Sequence, residues 1–316
     1  MKSRKIRAMN ENPTHRRPFK LIGELINHSF QRARHAWHHR DLAGYQRLAK
    51  LQTDLGADYL TVNIDGTQQL TVKPQEMLDL VSDLIPAIQE VSDLPLAFDN
   101  PWIEFHRCCL AAYDGTRSGP PLFNSVAASR DHLEEMYELI GQYDANVIVM
   151  ASERFVDEGS AQCFTPEDVH RTARTFVETL RSRANRTNNQ IFLDPGLAPI
   201  SADTYGLVNM GLDAMRLIRQ DVDLEGVHVS VGLTNFSFGV PKHIREGMEN
   251  AYITLATEAG LDCVLGNPEK NLRLLDPDDR SLQVVRRALA DGRPKDGESQ
   301  EEAGFRQSAR IMELYR

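Results

Sequence analysis

Short apolar runs alternate with longer segments of helical period along most of the chain. Phe19-Lys20-Leu21-Ile22-Gly23 predicts a first strand, leading into Glu24-Leu25-Ile26-Asn27. A helix is predicted from about Leu42 to Leu55, because Leu42, Tyr45, Leu48 and Ala49 recur at helical spacing and Gly56 stops it. Asp58 to Val62 is a second strand, ending in Asn63-Ile64-Asp65-Gly66, and a helix from about Pro74 to Val91 follows. Pro95 to Phe98 is the third strand, ending in Asp99-Asn100-Pro101, with a helix from about Trp102 to Ala112. Pro121 to Phe123 is the fourth, ending in Asn124-Ser125, with a helix from Asp131 to Tyr143.

Asn146 to Met150 is the fifth strand, and Ser152 to Phe164 is expected to be a long loop. Thr165-Pro166-Glu167-Asp168 caps a helix that reaches about Ala184. Asn189 to Leu193 is the sixth strand, ending in Asp194-Pro195-Gly196, and Ser201 or Ala202 opens a helix through about Arg219. Val227 to Val231 is the seventh, breaking at Gly232 into Leu233-Thr234-Asn235, with a helix from about Lys242 to Ala259. Leu261 to Leu265 is the eighth, ending in Gly266-Asn267-Pro268, with a last barrel helix from about Arg280 to Ala290.

Apolar strands alternating with helices predict a parallel sheet covered on both sides. No Gly-rich fingerprint follows the first strand, which argues against a dinucleotide-binding sheet. The expected fold is therefore α/β, a (β/α)₈ barrel of the TIM type. The division that follows is a basic extension over residues 1–18, the barrel over 19–291 and a charged tail over 292–316, expected to be helical and peripheral.

Strand ends of such a barrel meet at one face. Glu24, Asn27, Asn63, Asp65, Asp99, Asn124, Asp194 and Asn235 should then converge. The set is carboxylates and amides, without the His or Cys a zinc site wants. It has no Schiff-base lysine for an aldolase, and no nucleophile with an oriented base. A divalent metal on Glu24, Asp65, Asp99 and Asp194 is a weaker alternative. A mixed Asp/Asn ring suits a planar heterocycle with alternating donors and acceptors. Each residue has a plainer role open to it: Asn27 and Asp65 as caps of the next turn, Asp99 and Asp194 as turn formers. His28, His35, His38 and His39 form a cluster expected to be a solvated loop and helix start.

Composition narrows the classes further. The 316 residues carry a net charge of -9, which argues against non-specific nucleic-acid binding. Cys108, Cys109, Cys163 and Cys263 fit neither zinc spacing nor a disulfide framework and read as reduced thiols in the cytoplasm. No apolar run is long enough for a membrane span. The start of the chain lacks the apolar core of a secretory signal.

Gly23-Glu24-Leu25-Ile26-Asn27, Val62-Asn63-Ile64-Asp65, Phe98-Asp99, Asn124-Ser125, Asp194-Pro195 and Gly232-Leu233-Thr234-Asn235-Phe236-Ser237-Phe238-Gly239 together resemble the motifs of pterin-binding barrels. The set is most similar to the methyltetrahydrofolate:corrinoid methyltransferases, including the folate domain of cobalamin-dependent methionine synthase. The resemblance runs from about Leu21 to Asn267. It implies that Asp99, Asn124 and Asp194 hold the pterin ring and that Asn235 bonds near the methyl-bearing nitrogen. Glu24, Asn27, Asn63, Asp65 and Gly232 would line or support the pocket. It further implies tetrahydrofolate or methyltetrahydrofolate as substrate, cobalamin brought by a corrinoid-binding partner protein, no metal ligands in this chain, and a possible homodimer. Dihydropteroate synthase is the nearest rival, but the Lys and Arg expected after its Asp-Pro motif and at its seventh strand are absent from Gly196-Leu197-Ala198-Pro199 and Gly232-Leu233-Thr234-Asn235. A pterin-binding subunit without turnover is the other alternative.

Overall fold

The structure is a computed structural model and describes residues 17–315. Residues 1–16 of the expected extension lie outside the described residues. Arg17 donates to the carbonyls of Leu55 and Gly56.

The strands are β1 (Lys20–Asn27), β2 (Tyr59–Asn63), β3 (Leu96–Asp99), β4 (Leu122–Ala127), β5 (Asn146–Met150), β6 (Glu153–Val156), β7 (Gly159–Gln162), β8 (Ile191–Asp194), β9 (His228–Gly232) and β10 (Cys263–Gly266). All but β6 and β7 close a barrel in the order β1, β10, β9, β8, β5, β4, β3, β2. Every pairing in it is parallel. The eight-stranded (β/α) barrel expected from the alternation is the fold.

Period-two alternation explains how the barrel is filled. Ile22, Tyr59, Ala97, Leu122, Ile148, Phe192 and Cys263 form one buried cluster inside the barrel. Their chain neighbours Leu21, Leu60, Phe98, Phe123, Val147, Leu193 and Val264 belong to a second cluster, packed under the helices. Each large apolar side chain removed from water stabilises the fold by about 1.5–3 kcal/mol. Helices Pro74–Val91 and Lys242–Ala259 have the predicted bounds.

Two strands are irregular where the site begins. The register of β1 on β2 shifts between Gly23 and Ile26, and that of β4 on β5 between Asn124 and Val126. At the first, the Gln52 side chain enters the ladder and accepts from Leu25 N at 2.8 Å. Glycine lets it sit close: a Cβ on Gly23 would stand 2.5 Å from Gln52 Oε1, and the Gln52 amide would have to give way. Such bulges re-aim side chains at barrel rims.

Several expectations need correction. The segment after β5 is not a loop throughout: β6 and β7 form an antiparallel hairpin that turns through Asp157-Glu158 into Gly159, which has φ +105. The helix placed from Ser201 starts later, at Leu207, after a 3-10 turn at Ile200–Ala202. Asp203 causes the delay, because its carboxylate takes the N–H groups of Leu207 and Val208 at 2.8 and 2.9 Å. His28 is not solvated. It is buried, with Nδ1 2.9 Å from Asp65 O and Nε2 3.1 Å from the Tyr45 hydroxyl. His35 and His38 lie exposed on a helix, Gln31–His38, that the pattern did not reveal. In the tail, helix Gln300–Ile311 is capped by Ser299 and buries Ala303, Gly304, Gln307 and Ile311. Among the described residues no helix is long and apolar enough to cross a membrane, and the cysteines are unpaired.

Candidate functional site

The carboxyl ends of the barrel strands bring Glu24, Asn63, Asp99, Asn124, Asp194 and Gly232 to one rim. Register places Asn27 beside Asn63 and Asp99 beside Asn124. Asn63 donates from Nδ2 to Asp99 Oδ2 at 3.0 Å, so these two orient each other. Burial raises the Asp99 carboxyl above its usual range, and the Asn63 bond offsets part of that.

Asp194 ends β8 and turns sharply into Pro195-Gly196. Gly196 N–H donates to Asp194 Oδ1 at 2.8 Å. This turn requires glycine: Gly196 has φ +84, and a Cβ there would stand 2.7 Å from Ser152 Cβ. The Gly232 amide also points at the Asp194 carboxyl, yet burial outweighs both donors and pushes its pKa up to about 7. A carboxyl that, among the described residues, meets only backbone donors and no cation is suited to receive N–H groups from a ligand edge.

Asn124 is buried, and its amide makes no hydrogen bond within the described residues. Its amide reaches the rim rather than being sealed in the core, so it is open to a bound ligand. Thr61 and Ser230 lie on the same sides of their strands as Asn63 and Gly232, one inward position lower. Their hydroxyls are buried without a partner within the described residues. Free donors and acceptors at the wall and floor fit a flat polar heterocycle held among them.

Asn235 lies on the 3-10 turn Leu233–Asn235 that follows β9. It is exposed, and its Nδ2 would stand 3.3 Å from a Cβ on Gly232. Its backbone carbonyl accepts from Phe238 N at 3.2 Å, while its side chain stays unengaged among the described residues. Phe236, the next residue, anchors the turn by stacking on Tyr252 at 4.6 Å. Asn27 and Asp65 are engaged in local turns. Asn27 Oδ1 accepts from Ser29 N at 2.7 Å and Asp65 Oδ1 from Gly66 N at 2.7 Å.

Glu24 is 5% exposed and accepts from the Thr234 hydroxyl at 2.8 Å. Burial raises its pKa to about 7, against the Thr234 bond and the charge of Lys270. Behind the turn, Glu249 is buried, takes Ser237 Oγ at 2.5 Å, and pairs with Lys270 Nζ at 2.6 Å. Sequence reasoning missed Glu249 and Lys270. The signal available was a charged residue between Met248, Ala251 and Tyr252 on the apolar face of a helix. It also missed Arg130, which donates to Ser125 O and Oγ, both at 3.3 Å. Arg130 lines a cleft of about 380 Å³ with Pro101, Trp102 and His132, between the loops after β3 and β4, and its charge acts on Asp99 to lower the carboxyl's pKa. Among the described residues no group of three or more His, Cys, Asp and Glu is placed to hold a metal ion.

The chain is similar to known proteins in sequence and in fold. The model of the pterin binding enzyme family matches residues 23–265. A methylcorrinoid:tetrahydrofolate methyltransferase of Eubacterium limosum is 26% identical over 250 residues, 78% of this chain and 84% of that protein. Among solved structures, a dihydropteroate synthase of Xanthomonas albilineans in complex with indole-2-carboxylic acid and 6-chloroguanine is similar in fold. It has a TM-score of 0.55 at 20% identity, covering 78% of this chain and 86% of that one. A Yersinia pestis DHPS with a pterine-sulfa conjugate reaches 0.53 at 15% identity, covering 95% of each chain. The family match spans the whole series of strand ends from Gly23 to Leu265, and this chain belongs to the pterin binding enzyme family.

Proposed function

We propose that this protein is a methyltransferase moving a methyl group between tetrahydrofolate and the cobalt of a corrinoid carried by a partner protein. The observation that carries the reading is the ring itself: Asp99 and Asp194 with raised pKa values, and Asn124 and Asn235 with side-chain amides unengaged among the described residues. Asp99, Asn124 and Asp194 hold the pterin edge, with Asn63 fixing Asp99. Asn235 stands at the mouth and bonds near the methyl-bearing nitrogen. Glu24 and Gly232 complete the wall, and Asn27 and Asp65 shape the turns behind it.

Tetrahydrofolate leaves poorly until its ring nitrogen gains positive charge. An amide fixed beside that nitrogen strengthens its bond as the charge develops, so it favours the transition state over the bound substrate. In transfer away from folate the corrinoid supplies the nucleophilic metal, and in either direction this chain supplies position and a polar, preorganised pocket. The relative's printed name, methylcorrinoid:tetrahydrofolate methyltransferase, supports transfer toward the folate. The loops after β8 and β9 carry no cation beside Asp194 or Asn235, which weighs against a synthase acting on a pyrophosphate ester.

The test is methyl exchange between methyltetrahydrofolate and free reduced cobalamin, followed by the cobalamin absorbance. Formation of methylcobalamin supports the reading. A folded protein that binds methyltetrahydrofolate without exchange, with cobalamin or any corrinoid protein, would leave a pterin-binding subunit.

A further inference from the structure

Transfer of a methyl group from a tertiary ring nitrogen needs a proton on that nitrogen, since the leaving group would otherwise be a nitrogen anion. Asn235 can donate a hydrogen bond but does not release a proton near neutral pH. The ring must therefore contain, or connect to, a group that does.

Glu24 differs from the other ring carboxyls in what surrounds it. Its hydrogen-bond partner is a hydroxyl, that of Thr234 at 2.8 Å, which can accept and donate at once. Thr234 is exposed at the mouth and directly precedes Asn235. Asp194, by contrast, meets backbone N–H groups, which cannot pass a proton on. No cation forms an ion pair with Glu24 among the described residues. Lys270, which follows β10, gives its ammonium to both oxygens of Glu249 at 2.7 and 2.6 Å. Asp99 on β3 and Glu249 on helix Lys242–Ala259 add negative charge around Glu24. A buried carboxyl facing two acids, with its nearest cation already engaged, keeps its proton into the neutral range.

We propose that Glu24, acting through the Thr234 hydroxyl, is the proton carrier of this site. The proposal rests on the folate reading above. In the direction away from folate, the Glu24 carboxyl gives its proton to Thr234 Oγ1 while Thr234 gives its own to the ring nitrogen. The carbon–nitrogen bond then breaks, its electron pair stays on nitrogen, and the methyl group bonds to the electron pair of the reduced corrinoid cobalt. Glu24 is left as a carboxylate and recovers a proton from solvent. In the opposite direction the ring nitrogen loses its proton through Thr234 to the Glu24 carboxylate. The one contact serves both directions by turning its hydrogens around.

The experiment has two arms. Methyltetrahydrofolate is titrated calorimetrically at about pH 8, in buffers of different ionisation heat, to count protons taken up per ligand bound. Wild type is expected to take up roughly one, and Glu24→Gln close to none. Equal uptake by both would overturn the proposal. The second arm avoids any folding effect of a core change, because Thr234 is exposed. Thr234→Val should bind methyltetrahydrofolate as wild type does but exchange methyl with free reduced cobalamin about ten-fold more slowly or worse. Thr234→Ser should restore the rate. A valine variant as fast as wild type, or a serine variant as slow as valine, would contradict the relay. If wild type gives no binding heat at all, the folate reading itself fails, a result distinct from either of these.

Discussion

The two ends of the barrel carry similar side chains and treat them in opposite ways. At the amino end of the strands, Asp262 accepts from His228 Nδ1 and from Val229 N, both at 2.8 Å, with Arg219 at 3.3 Å. Lys20 Nζ lies 3.2 Å from the other nitrogen of His228, an arrangement that fits an imidazole donating to Asp262 and accepting from Lys20. Asn146 donates to the Tyr59 hydroxyl at 3.4 Å. Burial pushes Asp262 up, but these donors and charges together bring it below its usual pKa. At the carboxyl end, Glu24 and Asp194 are held up near 7, and the amides of Asn124 and Asn235 have no partner within the described residues. At the amino end, Asp262 and His228 are satisfied within the fold. Polar groups left unsatisfied at a concave rim are there for something else.

This contrast has consequences that separate the two ends. The largest is in stability against pH. The folded-state pKa values of Glu24 and Asp194, about 7, stand above the ordinary 4.5 and 3.8. The folded chain therefore keeps protons that the unfolded chain has released. The contribution of these two groups is most favourable below about pH 4 and declines as pH rises toward 7, by a few kcal/mol in order of magnitude. Urea midpoints of the ligand-free protein across that range measure it. For Asp262, with its lowered pKa, the sign is reversed: its contribution is present above the unfolded pKa and lost as pH falls through the folded one.

Next in size is Asp262→Ala, expected to cost about 2 kcal/mol of stability because it strands the Val229 N–H and the His228 ring. Methyltetrahydrofolate affinity should stay within about two-fold, since the change is a barrel's length from the rim. Asn235→Ala should do the reverse. Its stability should stay within about 0.5 kcal/mol of wild type, while methyl exchange slows about ten-fold. Smallest is Asp194→Asn at about pH 8, expected to raise the unfolding free energy by about 1 kcal/mol. It removes a desolvated charge, as replacement of residues kept for function often does.

Much of this was legible in the chain. Apolar runs ending in Asn, Asp or Glu gave both the barrel and the side of it that matters, because parallel strands of period two place every such ending on one rim. What was not legible came from tertiary contacts. The bulge beside Glu24 exists because Gln52, on the second helix after β1, Leu42–Asp54, reaches back into the β1 ladder. No local pattern around Gly23 encodes that. Helix Gln31–His38 is short and rich in His and Arg, so its period is weak, and only Ala33 and Ala36 are buried. The hairpin after β5 is four residues a side and mostly polar, too short for alternation to show. Glu249 and Lys270 neutralise each other across 21 residues of sequence, a pairing that only the fold brings about.

The most direct test of a ligand-seeking rim is a calorimetric titration of methyltetrahydrofolate into wild type, Asp194→Ala and Asp262→Ala in parallel. Wild type should bind in the micromolar range, Asp262→Ala should bind equally well despite its lower stability, and Asp194→Ala should lose at least about 100-fold while it remains folded. Binding by Asp194→Ala equal to wild type, or no binding by a folded wild type, would contradict the ligand-seeking rim.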